Sequence, residues 1–91
     1  VNAEDIAEVS IQNSVFEPAD VSVKSGTRIV FHNKDQVPHS IVGETGDREL
    51  FRSPDQVGED ETYAVILSNS GEVSYYCGLH PGMKGKISVS K

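Results

Sequence analysis

The chain has 91 residues and a formal net charge of -6, with 8 lysine and arginine residues against 14 aspartate and glutamate residues. This length suits a single domain, 1–91, and leaves no room for a second one. The negative charge argues against binding to nucleic acid or to anionic membrane surfaces. No apolar run approaches the ~20 residues of a membrane-spanning helix, so we expect no membrane insertion. We also expect a monomer.

The ends of the chain and its cysteine content leave the cellular compartment open. Cys77 is the only cysteine, so no internal disulfide can form and cysteine usage does not report the redox compartment. No basic, apolar leader precedes Val1, which predicts either a cytosolic protein or a processed mature form.

Short runs of alternating apolar and polar residues, separated by turn residues, recur along the chain, and no sustained helical period is present. The segment 33–36 is interpreted as a polar loop, and 43–58 as variable surface with Leu50 and Phe51 as a local anchor. The pattern predicts an all-β fold, an antiparallel Greek-key β-sandwich of about seven to eight strands. Strand-like runs lie at 7–12, 15–16, 21–24, 27–31, 39–42, 62–67, 72–77 and 85–90.

Three soft metal donors lie close together near the end of the chain. Cys77, His80 and Met83 fall between two predicted strands, and Pro81 and Gly82 make their connection tight. A thiolate, an imidazole and a thioether form a donor set that suits copper. A further nitrogen ligand must come from another strand end, and His39 is the candidate.

Two imidazoles, a thiolate and a weak axial thioether describe a blue-copper electron-transfer site. Taken singly, Cys77 would be a small buried hydrophobe and Met83 a filler of the core. The joint spacing Cys-x-x-His-x-x-Met at a strand–loop–strand junction favours a metal site over those interpretations. His32 lies on the face opposite to Phe31 and is predicted to be exposed and not a ligand.

With these residues in view, the chain resembles the cupredoxins, and within them the amicyanin-like members of the plastocyanin family. The resemblance runs from about residue 11 to residue 89. Plastocyanins proper carry two more residues between the second histidine and the methionine, so the short loop points to the amicyanin type. The matching segments are 15–18, 21–27, the run Val37-Pro38-His39-Ser40 with Asn33 before it, 71–77, and the run His80-Pro81-Gly82-Met83 with 84–86 after it.

The resemblance implies a set of roles for residues of this chain. One copper ion, alternating between Cu(II) and Cu(I), would be held by His39, Cys77, His80 and Met83. The side chain of Asn33 would tie the two ligand-bearing loops together, and the backbone N–H of Ser40 would donate to the Cys77 sulfur.

Two positions depart from the family's pattern, and the location follows only from the resemblance. Relatives usually carry Thr or Ser after the cysteine and often Pro before the histidine, where this chain has Gly78 and Leu79. The missing hydroxyl at position 78 leaves open how Asn33 is satisfied. A periplasmic or otherwise exported location is implied.

The implied function is electron transfer by a small, non-enzymatic carrier through the exposed edge of His80. A transient redox partner would dock on an apolar patch around this residue, and the acidic segments 44–49 and 59–61 would steer a basic partner. The patch comprises Pro38, Leu79, Pro81, Gly82 and Met83.

The alternatives to electron transfer are a copper-delivery module that uses the same ligands, a cysteine hydrolase that uses Cys77 and His80, and a metal-free immunoglobulin-like binding module.

Overall fold

The computed structural model describes residues 6–80 and 82–91, and this part of the chain contains nine β-strands and no helix. It accordingly has no helix long and apolar enough to cross a membrane. The all-β prediction is confirmed, with nine strands where seven to eight were expected. The strands are β1 (Ile6–Gln12), β2 (Val15–Glu17), β3 (Asp20–Lys24), β4 (Arg28–Asn33), β5 (Val42–Thr45), β6 (Arg48–Arg52), β7 (Thr62–Ile66), β8 (Gly71–Tyr76) and β9 (Lys84–Ser90).

The strands form a four-stranded sheet in the order β2-β1-β4-β7 and a five-stranded sheet in the order β3-β9-β8-β5-β6. Two neighbouring pairs, β1–β4 and β3–β9, are parallel, and the other pairs are antiparallel. In each parallel pair, the chain crosses to the other sheet and returns between the first strand and the second. The sandwich prediction is therefore confirmed, while the wholly antiparallel arrangement is corrected.

The alternation in β1 shows how the sequence produces these strands. Val9 and Ile11 are fully buried, Ser10 between them is partly buried, and Glu8 and Gln12 on either side are exposed. The hairpin to β2 then turns on Asn13 and Ser14, whose φ angles are 56° and 59°. Two consecutive residues with positive φ match the right-handed twist of the flanking strands.

The core between the sheets is centred on aromatic side chains. The ring of Tyr75 lies 4.7 Å from that of Phe16 and 5.3 Å from that of Phe31, both edge-to-face. Such pairs add about 0.5–1.5 kcal/mol each beyond the burial of their area. Aliphatic residues of both sheets, among them Ile29 and Ile87, complete the cluster.

One end of the sandwich is formed by two loops, 34–41 and 77–83. The antiparallel pair Val42–Tyr76 sets their relative position. Residues that precede Val42 therefore lie opposite residues that follow Tyr76. This register brings Ser40 into direct contact with Cys77, which lies 37 positions later in the sequence.

Candidate metal centre

The loop after β8 folds back on itself through backbone hydrogen bonds. The N–H of His80 donates to the Cys77 carbonyl at 3.1 Å, and the N–H of Met83 donates to the His80 carbonyl at 2.9 Å. The N–H of Cys77 donates to the Met83 carbonyl at 3.1 Å and closes the loop. Each of the three predicted donors in this loop is thus held by backbone bonds to the others.

His39 comes from the opposite loop and is fully buried. Its backbone makes a two-bond bridge to Val57, with the His39 N–H 3.1 Å from the Val57 carbonyl and the reverse bond at 2.8 Å. The strand predicted at 39–42 begins only at Val42. His39 nevertheless has a fixed backbone, because the bridge replaces the strand pairing.

The structure brings His39, Cys77 and His80 together as a cluster of donor atoms, hereafter the donor cluster. The Cys77 sulfur lies 3.6 Å from His39 Nδ1 and 3.8 Å from His80 Nδ1. The three ligand atoms all lie within 4.8 Å of one another. Cys77 is fully buried, while His80 is exposed.

These separations suit a single metal ion. With typical bond lengths of about 2.0 Å to imidazole nitrogen and about 2.3 Å to thiolate, a nitrogen and a sulfur about 120° apart would lie about 3.7 Å from each other. Two imidazoles and a thiolate are the trigonal donor set of blue-copper sites, and Met83 supplies a thioether on the same loop. Met83 is buried, at 7% exposure. The residues present therefore fit copper.

Ser40 contacts the donor cluster through both its backbone and its side chain. Its N–H points to the Cys77 sulfur at 3.4 Å, as the resemblance implies. Its hydroxyl oxygen accepts the Gly78 N–H at 2.9 Å. A Cβ added at Gly78 would lie 2.6 Å from this oxygen. The Ser40 hydroxyl therefore fills the space next to Gly78 and links the two loops there.

Asn33 is fully buried but makes different bonds from those expected. Its side-chain amide donates to the carbonyls of Val37 at 3.0 Å and Val57 at 2.8 Å. Its side-chain oxygen accepts the Asp35 N–H at 2.8 Å. Among the described residues, no side-chain hydrogen bond joins Asn33 to 77–80. It braces the loop that carries His39 against the segment around Val57, so the missing hydroxyl at position 78 leaves it satisfied.

Asp35 is a neighbour of the site that the sequence analysis missed. Its carboxylate lies 2.9 Å from His39 Nε2 and accepts the N–H groups of Asn13 at 2.7 Å and Ser14 at 2.9 Å. Burial raises the pKa of Asp35, but the hydrogen bonds from Ser14, His39 and Asn13 outweigh burial, and the net pKa is lowered. The sequence signal was an aspartate four residues before the histidine.

His32 lies away from the donor cluster, on the outer face of the four-stranded sheet. It is half-buried and not fully exposed as predicted, with 26% of its side chain accessible. The reason is that two carboxylates flank the ring, Glu8 at 3.7 Å from Nδ1 and Asp60 at 3.5 Å from Nε2. It does not belong to the candidate metal group among the described residues.

The predicted apolar patch is only partly at the surface. Leu79 is 46% exposed and Gly82 is exposed, whereas Pro38 is half-buried. Met83 is buried and adds little to the surface, which corrects its place in the patch. Pro81 lies outside the described residues. Val37, 48% exposed, is an apolar residue that the prediction omitted.

Comparisons with known proteins agree with this geometry. A family model described as copper-binding proteins of the plastocyanin/azurin family matches residues 3–90. Plastocyanin from Lactuca sativa is 36% identical over 92 residues, covering 84% of this chain and 88% of that protein. Amicyanin from Paracoccus versutus is 28% identical over 87 residues, covering 93% of this chain and 65% of that protein.

Solved structures resemble the fold closely. The crystal structure of Paracoccus versutus amicyanin has a TM-score of 0.85 at 26% identity and covers 97% of this chain and 84% of that one. A purple cupredoxin from Nitrosopumilus maritimus has a TM-score of 0.83 at 25% identity, over 92% of this chain and 99% of that one. The match spans nearly the whole chain in sequence and in structure, and the chain belongs to the plastocyanin/azurin family of copper-binding proteins.

Proposed function

We propose that the protein carries single electrons on one copper ion of the blue type, bound by His39, Cys77, His80 and Met83. The observation that carries this proposal is the donor cluster, in which a buried thiolate lies 3.6 Å and 3.8 Å from two imidazole nitrogens. The copper supplies a one-electron Cu(II)/Cu(I) couple. Family membership makes copper the cofactor, while the four individual ligands are part of the proposal.

The contribution of the chain is to hold the donors in one arrangement in both oxidation states. His39 is held by its bridge to Val57, and Cys77 by one backbone bond each with Met83 and His80. The Ser40 N–H at 3.4 Å from the sulfur withdraws electron density from the thiolate. Because backbone bonds hold the donors before any metal is bound, little rearrangement is needed when the electron arrives or leaves.

His80 is the proposed route for the electron, since it is the exposed member of the donor cluster. The apolar surface beside it, formed by Leu79 and Gly82 with Pro38 and Val37, is the proposed docking area for a transient redox partner. Small interfaces of this kind are typical of weak electron-transfer encounters. An exported location follows from the family resemblance alone, and cell fractionation would test it.

A cysteine hydrolase is less well supported than an electron carrier. The contacts do resemble a catalytic triad, since the Cys77 sulfur lies beside the His39 ring and that ring contacts the Asp35 carboxylate, in the places of nucleophile, base and orienting acid. However, the Cys77 sulfur belongs to a residue with 0% exposure, so a substrate could not reach it. The burial of the thiolate favours a ligand over a nucleophile.

The test is to add one equivalent of cupric ion to the metal-free protein and to follow the visible spectrum. We expect an intense blue colour from thiolate-to-copper charge transfer and reversible reduction to a colourless form. Cys77→Ser should abolish the colour. Leu79→Glu should leave the colour unchanged and slow electron exchange between oxidised and reduced protein, because it places a like charge in the docking area.

Two results would contradict the proposal. A colourless adduct in the wild-type protein would exclude the blue-copper site. A blue protein that loses cuprous ion rapidly to a chelator would instead support the copper-delivery alternative. Leu79→Gln is the matched control for size without charge, and it should slow self-exchange less than Leu79→Glu if like-charge repulsion is the cause.

A further inference from the structure

The carboxylate of Asp35 lies behind His39, on the side away from the donor cluster. Its oxygen is 2.9 Å from His39 Nε2, while Nδ1 of the same ring points towards the Cys77 sulfur at 3.6 Å. The His39 side chain is fully buried and that of Asp35 is 13% exposed. One ring therefore has a carboxylate at one nitrogen and the proposed metal position at the other.

This arrangement determines which ring nitrogen carries the proton. A carboxylate accepts hydrogen bonds only, so Nε2 must donate, and in the neutral ring Nδ1 then keeps its lone pair for a metal. A negative charge on the far side also makes the ring a stronger donor to a metal. A stronger donor stabilises the cupric ion more than the softer cuprous ion.

Asp35 is itself held in place from a third element. The two backbone N–H groups of the β1–β2 turn, from Asn13 and Ser14, each donate to a different oxygen of the carboxylate. Both oxygens accept a backbone N–H group, an arrangement that favours the ionised form of the carboxyl group. The turn thus fixes the carboxylate, and the carboxylate in turn fixes the ring of His39.

We propose that Asp35 is a positioning residue of the copper site, which holds His39 as the Nε2–H tautomer and lowers the reduction potential by favouring the cupric state. The inference rests on the proposed function only for its effect on copper. The tautomer itself is a property of the metal-free protein. A simpler role, in which Asp35 anchors the β1–β2 turn and nothing else, makes different predictions.

The experiment compares Asp35→Asn with the wild type and with Asp47→Asn. Asp47 lies in the β5–β6 turn, which points away from the Val42–Tyr76 end of the sheet, so this control removes the same charge elsewhere. In Asp35→Asn we expect a 10–100-fold loss of cupric affinity, with a smaller loss of cuprous affinity. Each tenfold fall in the ratio of cupric to cuprous affinity raises the reduction potential by about 59 mV.

The second measurement uses the metal-free protein and nitrogen-15 NMR of the histidine rings. The wild type should have His39 in the Nε2–H form alone, and Asp35→Asn should populate the other tautomer as well. Asp35→Glu, which keeps the charge, should retain the Nε2–H form and give a potential between those of the wild type and Asp35→Asn.

The two roles of Asp35 give distinguishable results. If Asp35→Asn only lowers the unfolding midpoint, while its tautomer, copper affinities and potential match those of Asp47→Asn, Asp35 is an anchor for the turn and the proposal is overturned. A wild-type protein without a blue colour would contradict the proposed function instead. The tautomer measurement would still decide the part of the inference that concerns His39.

Discussion

At the scale of single residues, the metal end of the molecule is built from buried polar side chains that all have partners. No buried side-chain nitrogen or oxygen within the described part of the chain lacks a hydrogen bond. This matters because an unsatisfied buried polar group costs about 1–3 kcal/mol. Ser53 is an example, since its hydroxyl accepts the Ile41 N–H at 2.8 Å and donates to the Pro54 carbonyl at 2.9 Å.

Tyr75 is the residue whose ionisation should make stability depend on pH. Burial, together with the nearby charge of Asp20, raises the pKa of its hydroxyl above the ordinary value. The hydroxyl also donates to the Ala19 carbonyl at 2.6 Å. Since the folded state disfavours the phenolate, its contribution is fully present below about pH 10, the pKa in the unfolded chain, and is lost as the pH rises above that value.

We therefore predict that Tyr75→Phe makes the protein less sensitive to alkali. At pH 7 the variant should lose about 1 kcal/mol of unfolding free energy, from the lost hydroxyl bond. The loss is no larger because the Ala19 carbonyl still accepts the Lys86 N–H at 3.0 Å. Above pH 10 the wild type should lose up to about 1.4 kcal/mol more per pH unit than the variant. Urea unfolding from pH 7 to 11 measures both slopes. Parallel slopes would show that Tyr75 does not cause the alkaline loss.

The sequence predicted the site residues whose chemistry is unusual, and the family resemblance added Asn33 and Ser40, but neither pointed to Asp35. Cys77, His80 and Met83 stand out because they are soft donors within one short loop. Asp35 has only a weak signal, its position four residues before His39, since its partners Asn13 and Ser14 are more than 20 positions away. Only the backbone path through the β1–β2 turn shows that this carboxylate meets the histidine.

At the scale of elements, the β5–β6 hairpin is the main difference between prediction and structure. The sequence from 43 to 58 was interpreted as irregular surface, but Val42–Thr45 and Arg48–Arg52 are paired strands. β6 is an edge strand of the five-stranded sheet, and Phe51 is its only buried residue. An edge strand with one apolar side chain inward does not show the alternation on which the prediction depended.

Gly43 is the residue that allows this hairpin to pack. It lies directly opposite Phe51, and a Cβ at position 43 would overlap the Phe51 ring. Phe51 is only 8% exposed and its ring is 6.2 Å from that of Tyr63, so it has little room to move. We predict that Gly43→Ala destabilises the protein by about 1–3 kcal/mol through overpacking.

Equilibrium unfolding of the metal-free protein measures this effect. Gly82→Ala is the control, because a Cβ there meets no atom within 4 Å and the cost should stay below about 0.5 kcal/mol. In Gly43→Ala combined with Phe51→Leu, the loss should be smaller than the sum of the two single losses. A strictly additive double variant would mean that the Phe51 ring is not the source of the clash.

At the scale of the whole molecule, the sequence predicted the fold class and that the donors come from a strand–loop–strand junction and from one other strand end. It did not predict the order of the strands within each sheet or the two parallel pairs. Local alternation reports which residues face inward, but it carries no information about which strand lies beside which. That choice depends on contacts such as Val9 with Phe31, between strands far apart in sequence.

Metal binding should stabilise the whole domain, since a donor cluster drawn from two loops exists only when the chain is folded. At a free copper concentration 100 times the dissociation constant, linkage adds about 2.7 kcal/mol. For a domain of this size, that should raise the melting temperature by roughly 11–22 °C.

Thermal unfolding with and without cupric ion measures the shift. His80→Ala should lose most of it, because one proposed ligand is removed. His32→Ala, the matched control on the outer face of the sheet, should keep the full shift even if its own baseline is lower. A shift that depends on His32 as strongly as on His80 would contradict the proposed ligand set.

The contact between Ser40 and Gly78 has a consequence for the evolution of this site. The Ser40 hydroxyl accepts the Gly78 N–H, and it lies 2.6 Å from where a side chain at position 78 would begin. The two positions therefore cannot vary independently. A side chain at position 78 requires the hydroxyl at position 40 to move or to be absent, so substitutions at these two positions should occur in pairs.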